Sequence, residues 1–295
     1  MRRILWSVLL AGFAASQARA AEQTTRSVTL SVYTKKAEPV SDLKPEELIV
    51  SEAGRKTTVL GVDPDHRPLE VAIVVDSSAA QASSYRSDLV ASVISFWKAL
   101  PSSASVAVWT SGPPSKVVDF GNGVAEAEPR LQSVAPAGKN YAFDAMLDAS
   151  RELARRPSQR RVLVVLGNLD IETTRTRTGE AQQAMAQAFA VPFVILMQPG
   201  GAMAPVGGPT SGVQTSFDVR GYFETMAPSY GGACWTVLSS QAASNTLKEV
   251  AAALVSTYRV RYDGTSDQVP KVEVKRKGVK YQVGRTQVEV VKAIN

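Results

Sequence analysis

Leu69-Glu70-Val71-Ala72-Ile73-Val74-Val75-Asp76-Ser77-Ser78 is the stretch that decides the fold. Seven residues carry a single charge, so Leu69–Val75 is a near-continuous apolar run, the pattern of a strand buried on both faces. The run stops at a carboxylate and two hydroxyls, a polar end to an apolar strand. Downstream, helical and strand rhythms alternate. Tyr85–Leu100 places Leu89, Val90, Val93, Ile94, Trp97 and Leu100 at helical spacing. Ser105–Thr110 and Lys116–Phe120 read as strands, Tyr141–Ala154 as helix, and Arg161–Leu166 as another buried strand. Glu180–Ala190 reads as helix, Val191–Met197 and Ala233–Leu238 as strands, and Asn245–Tyr258 as helix. This alternation predicts an α/β fold, a doubly wound and mostly parallel sheet covered on both faces.

Outside this region the rhythm changes to period 2. Ser27–Lys35 alternates Val28, Leu30 and Val32 with Ser and Thr, and Leu48–Ser51 and Thr57–Val62 read as short strands. The end of the chain repeats the pattern over Tyr258–Tyr262, Lys271–Arg276, Val279–Val283 and Gln287–Val291. Neither β-rich piece closes a core alone, so the two are expected to pack as one small β-sandwich-like unit flanking the α/β domain. The expected division is a signal peptide over 1–20, an N-terminal β segment over 21–66, the α/β domain over 67–257, and a C-terminal β segment over 258–295.

The signal-peptide reading rests on the basic Met1-Arg2-Arg3, the short apolar run Ile4–Ala15 and the Ala18-Arg19-Ala20 cleavage pattern. The run is shorter than the roughly 20 residues of a membrane-spanning helix. An exported chain, periplasmic or secreted and not transmembrane after cleavage, is therefore expected. Cleavage before Ala21 removes Arg2, Arg3 and Arg19, which leaves 30 basic and 27 acidic residues and a net charge of +3. That balance gives no support to a nucleic-acid partner. A single His and a single Cys exclude a disulfide framework and the usual zinc sites. A phosphate-binding G-x-x-x-x-G-K-[ST] loop is absent from the sequence.

The strand ending in Asp76-Ser77-Ser78 resembles the first strand of a von Willebrand factor A domain, whose metal motif is D-x-S-x-S. Ser41-Asp42-Leu43-Lys44-Pro45-Glu46 and the stretch Lys271–Lys280 resemble the segments that flank the domain in bacterial exported relatives, so the resemblance spans residues 27 to 285. It implies a metal-ion-dependent adhesion site: an Asp and two Ser from the first loop, a Thr from a second, an Asp from a third, and a partner carboxylate completing the shell. Only part of that set is present. Asp76 and Ser78 match, but Ala80 stands at the third motif position, Asn140 at the Thr and Gly167 at the third-loop Asp. Mg²⁺ demands near-octahedral oxygen ligation, and one carboxylate with Lys139 alongside is a poor offer. Asp76, Ser78 and Asn140 are thus a degenerate metal set, expected to bind Mg²⁺ weakly or not at all. The expectation for cofactors is none. Asp170 stands in for the missing carboxylate if the loop after Leu166 bends back, and restoring Ala80→Ser with Gly167→Asp is expected to rebuild the site.

The resemblance implies that another protein docks at the strand-end face, on Asp76, Ser77, Ser78, Lys139, Asn140, Asn168 and Asp170. The expected function is a non-catalytic exported protein-binding or scaffold module. The alternative is an accessory subunit or enzyme of the cell envelope. His66 lies in the polar connector Asp63–Pro68, away from any nucleophile in sequence, and reads as surface. Cys234 reads as a core thiol. The Gly- and Pro-rich stretch Gln198–Asp218 is either a binding loop or an insertion. Lys271, Lys275, Arg276, Lys277, Lys280 and Arg285 form either a solvated strand face or a surface for an anionic partner.

Overall fold

The computed structural model describes residues 25–158, 160–168, 171, 178–198, 218–264 and 269–287. The strands are β1 (Thr25–Thr34), β2 (Leu48–Glu52), β3 (Arg55–Thr57), β4 (Val59–Pro64), β5 (Leu69–Val75), β6 (Ser105–Ser111), β7 (Pro114–Val118), β8 (Arg160–Asn168), β9 (Val191–Met197), β10 (Ala233–Val237), β11 (Thr257–Asp263), β12 (Lys271–Val274) and β13 (Val279–Gln287). The helices are α1 (Ala91–Ala99), α2 (Val124–Ser133), α3 (Ala142–Arg155), α4 (Thr178–Gln187), α5 (Val219–Ser229) and α6 (Ser240–Val255). The signal sequence, Asp170 and residues 199–217 lie outside the described residues.

The central sheet has the order β10-β9-β8-β5-β6-β7 and is parallel except for β7, which turns back on β6. Every residue of β5 is buried, and its two faces divide by parity. Leu69, Val71, Ile73 and Val75 join the core that includes α1 and α6, whereas Ala72 and Val74 join the core that includes α3 and α5, with α3 against β5 itself. Glu70 would be a lone charge on the second face, but Arg156 donates to its carboxylate at 2.9 Å. Buried charges persist in this way, paired with a hydrogen-bonding partner.

The N- and C-terminal strands share a second sheet, β13-β1-β11-β4, with all neighbours antiparallel. A third sheet, β12-β2-β3, lies against it, and Leu30, Val32, Val50, Tyr258, Val260 and Val272 fill the space between. The chain changes sheet at Thr58, so the strand expected over Thr57–Val62 is two. The β2–β3 turn takes Ala53 and Gly54 into the left-handed region, φ 46° and 79°, the requirement of a two-residue hairpin turn with both central residues at positive φ.

Several other boundaries differ from the expectation. A π-helical turn, Tyr85–Val90, precedes α1. Helix α6 starts earlier than Asn245, where Ser239 caps it by accepting from Ala242 N at 3.2 Å, and it ends at Val255. The next strand then begins at Thr257, which returns the chain directly to the β unit. Helices α2 and α5 had no sequence counterpart: Pro129 lies inside the first and Pro228 near the end of the second.

The two units are joined at the end of the sheet opposite the polar end of β5. Arg160, at the start of β8, reaches both connections. Its Nη1 donates to Asp65 O at 3.1 Å, and its Nη2 donates to Thr257 Oγ1 at 3.0 Å and to Leu254 O. Arg67 grips the Asp65 carboxylate with two bonds, at 2.8 and 2.7 Å. Further along, Lys280 pairs with Glu249 of α6, and Gln282 donates to Gly231 O at 3.0 Å.

Candidate functional site

The parallel strands place four loops at one end of the sheet, where ligands of open α/β sheets bind. They follow β5, follow β6, precede α3 and follow β8. Asp76 stands at their centre and is 1% exposed. Its backbone N–H still belongs to the sheet, donating to Leu166 O at 2.8 Å. Its carboxylate turns into a ring of N–H groups. Oδ1 accepts from Ser78 N at 2.9 Å, and Oδ2 accepts from Asn168 N at 3.1 Å, Asn140 Nδ2 at 3.3 Å and Gln81 Nε2 at 3.4 Å. A carboxylate offers about four lone-pair sites, and four donors point at this one.

The Asn140 amide has its orientation set by its neighbours. Ser111 Oγ donates to its Oδ1 at 2.7 Å, while its Nδ2 faces Asp76 Oδ2, Asn168 O and Asn168 Oδ1. The reverse orientation would put the amide oxygen among three other oxygens, which is repulsive. Gln81 is held from behind, where Ser84 Oγ donates to its Oε1 at 2.7 Å. Ser78 Oγ is buried and has no hydrogen-bond partner among the described residues.

Ser77 faces away from Asp76. Its Oγ both accepts from Gly112 N and donates to Gly112 O, each at 3.1 Å, and so ties the first loop to the β6–β7 turn. Gly112 has to be glycine, because a Cβ there would lie 2.7 Å from Ala137 O, 2.8 Å from Lys139 O and 2.8 Å from Ser78 Cα. The loop before α3 is fastened by Ala79 N to Gly138 O, Ala137 N to Ser77 O and Tyr141 N to Ser111 O. The structure thus brings together Asp76, Ser77, Ser78, Asn140 and Asn168. Lys139 is on the same loops with its side chain exposed, as is Ala80. Asp170 falls outside the described residues. Three residues that hold the site were absent from the sequence reading: Gln81, Ser111 and Gly112. The Ser-Gly-Pro-Pro turn signal at 111–114 was the only cue to any of them.

These donors do not suit a hard dication. Asn140 presents N–H where a ligand oxygen is needed, and both Asp76 oxygens are already engaged. Among the described residues no cluster of three or more Asp, Glu, His or Cys side chains forms a metal site. The expected repair at position 167 is also blocked. A Cβ on Gly167 would lie 2.7 Å from Asp76 Cβ, 3.3 Å from its Oδ2 and 3.4 Å from Asn140 Nδ2. Gly167→Asp therefore has no room for its own β-carbon, which corrects the expectation that it would rebuild the site.

The remaining candidates resolve elsewhere. His66 is exposed at the opposite end of β5 from Asp76. Cys234 is half-buried and not the fully packed core thiol expected, and burial pushes its thiol up to about 11, which disfavours the thiolate at neutral pH. Most of the C-terminal basic cluster is paired within the chain: Lys271 with Glu273, Arg276 with Asp42 and Glu47, Lys280 with Glu249, and Lys275 with Glu46 O. Lys271, Arg276 and Lys280 thus have carboxylate partners within the chain.

No protein-family model matches this chain, and no curated protein matches it. Solved structures do. A von Willebrand factor type A protein from Catenulispora acidiphila aligns with TM-score 0.50 and 10% identity, over 92% of this chain and 67% of that one. The pilus adhesin SpaC from Lactobacillus rhamnosus GG aligns with TM-score 0.50 and 10% identity, over 84% of this chain and 44% of that one. BatB from Bacteroides thetaiotaomicron aligns with TM-score 0.44 and 18% identity, over 62% of this chain and 97% of that one. The fold is that of a von Willebrand factor type A domain, an α/β domain here carrying a β unit made from both ends of the chain. No helix among the described residues is long and apolar enough to cross a membrane.

Proposed function

We propose that this chain is a non-catalytic exported module that binds another protein through the strand-end face of its type A domain, with the metal motif degenerate. The observation that carries the reading is how the motif residues are used. Asp76 and Asn140 bond one another and Ser77 bonds Gly112, so these side chains tie four loops together and shape a surface. The chain's one histidine is at the other end of β5, so Ser77 and Ser78 have no histidine base of the Ser-His-Asp kind beside them. The fold is shared with a pilus adhesin, and a binding role agrees with it. Export agrees with the amino-terminal signal pattern. No cofactor and no nucleic acid enter the reading.

The test is cross-linked capture from cell-envelope extracts with purified protein. A specific protein should be retained by the wild type and lost with Ala80→Arg or Lys139→Glu on the rim. Capture should survive His66→Glu at the far end. Loss with His66→Glu and retention with both rim variants would refute the reading. Turnover of an envelope substrate, abolished by a change at Ser77 or Ser78, would favour the enzyme alternative.

A further inference from the structure

We propose that amide groups of this chain take the place of a divalent cation at Asp76, so that the strand-end loops hold their closed arrangement without any metal. The inference rests on the degenerate-site part of the functional reading and is independent of whether a partner binds. A cation in such a site does two jobs: it neutralises a carboxylate among buried neighbours, and it ties separate loops to that carboxylate. Here N–H groups do both. Ser78 N and Gln81 Nε2 come from the loop after β5, Asn140 Nδ2 from the loop before α3, and Asn168 N from the end of β8. Charge-assisted hydrogen bonds of this kind are among the stronger ones in proteins. They converge on a group that is 1% exposed, where water competes little.

The Asn140 amide is the element that decides between the two modes. With nitrogen turned inward it supplies the donor that a cation would make unnecessary. Replacing that nitrogen by oxygen puts a second carboxylate about 3.3 Å from Asp76 Oδ2, and two like charges at that distance need a counter-ion or a shared proton. Asn140→Asp should therefore convert a metal-indifferent protein into a metal-responsive one. Gln81→Glu makes the same exchange nearer the rim.

The experiment is thermal unfolding of the purified chain in EDTA and in millimolar Mn²⁺, with calorimetric titration of Mn²⁺ alongside. The wild type should show the same Tm in both and no binding heat. N140D should melt lower than wild type in EDTA and recover in Mn²⁺; at 100 times the dissociation constant the rise is roughly 5–10 °C. Asn140→Ala, which removes the donor and adds no charge, should melt lower and ignore Mn²⁺. Should N140D fail to fold in both media, Q81E carries the comparison. Two results overturn the proposal: Mn²⁺ binding by the wild type that disappears in Asp76→Ala, or indifference to Mn²⁺ in every folded carboxylate variant.

Discussion

Replacing Arg160 by methionine tests how the two units are joined. Methionine keeps much of the apolar stem and removes the fork. Four acceptors lose a partner: Asp65 O, Leu254 O, Thr257 Oγ1 and, at 3.8 Å, the Asp65 carboxylate. They are not equally exposed to the loss. The Asp65 carboxylate keeps both bonds from Arg67, so the ~3–5 kcal/mol of a buried charge stripped of its partner does not apply. Thr257 Oγ1 still donates to Ala253 O at 2.9 Å. Leu254 O keeps only the 3.4 Å contact from Thr257 Oγ1, and Asp65 O keeps no side-chain donor among the described residues. One carbonyl orphaned and one half-orphaned, at ~1–3 kcal/mol for each buried unsatisfied group, amounts to ~2–4 kcal/mol. For a chain of this size that is a fall in Tm of roughly 4–16 °C. The assay is urea unfolding followed by circular dichroism, at low salt and again at 1 M salt. Hydrogen bonds to carbonyls are not screened as surface ion pairs are, so the loss should persist at high salt. Arg160→Lys should recover less than half, because one ammonium cannot span both connections. A variant within ~0.5 kcal/mol of wild type, small by the usual scale of surface substitutions, would refute the account, as would a deficit that vanishes in salt.

Other outcomes follow from the same structure. Gly112→Ala forces a Cβ onto backbone atoms of two neighbouring loops and should cost ~1–3 kcal/mol in urea unfolding; Gly123→Ala, with nothing within 4 Å of the new atom, is the control. Half-buried Cys234, its thiol raised by burial to about 11, should react more slowly with a thiol reagent at pH 8 than it does after denaturation; equal rates in the two states would contradict the raised thiol. Burial alone would raise the Asp65 carboxyl, but the Arg67 hydrogen bond and charge, with the Arg160 charge, outweigh it and hold it below the ordinary value. A depressed carboxyl stabilises the fold above its unfolded pKa of ~3.9 and loses that contribution as pH falls through the folded value. Arg67→Gln should therefore flatten the acid side of the stability curve below about pH 4, measured by urea unfolding at a series of pH values.

Much of the fold is legible because burial on both faces leaves a direct trace. The parity of β5 divides its residues between two helix layers, and such a strand has no polar face to show. The β unit is legible for the opposite reason, since Val28, Leu30 and Val32 face one core and the residues between them face out. Helices α2 and α5 leave weaker traces. In α2 only Ala127 and Leu131 are buried, and Pro129 stands between them, so neither periodicity nor propensity marks a helix. In α5 the cap is informative, as Asp218 accepts from Gly221 N at 3.0 Å, but it sits at the edge of a Gly- and Pro-rich stretch that obscures it.

The site divides along a different line. The resemblance to the type A metal motif identifies which residues meet, and it brought Asp76, Ser78 and Asn140 to one place. It does not say which way an amide faces. Asn140 reads as a retained oxygen ligand until Ser111 is found hydrogen-bonded to that oxygen, and Ser111 is 29 positions away in the chain. The same limit applies to Gly167. In sequence it is a missing carboxylate, a loss that one substitution would repair. In the structure it is the reason the end of β8 can lie against Asp76 and deliver Asn168 N to the carboxylate at 3.1 Å. A larger residue at 167 would push the strand end away and remove that donor. The glycine and the inward-facing amide are therefore coupled: closing the loop on Asp76 supplies the N–H groups that replace a cation, and the closed loop leaves no space for the ligand a cation would require.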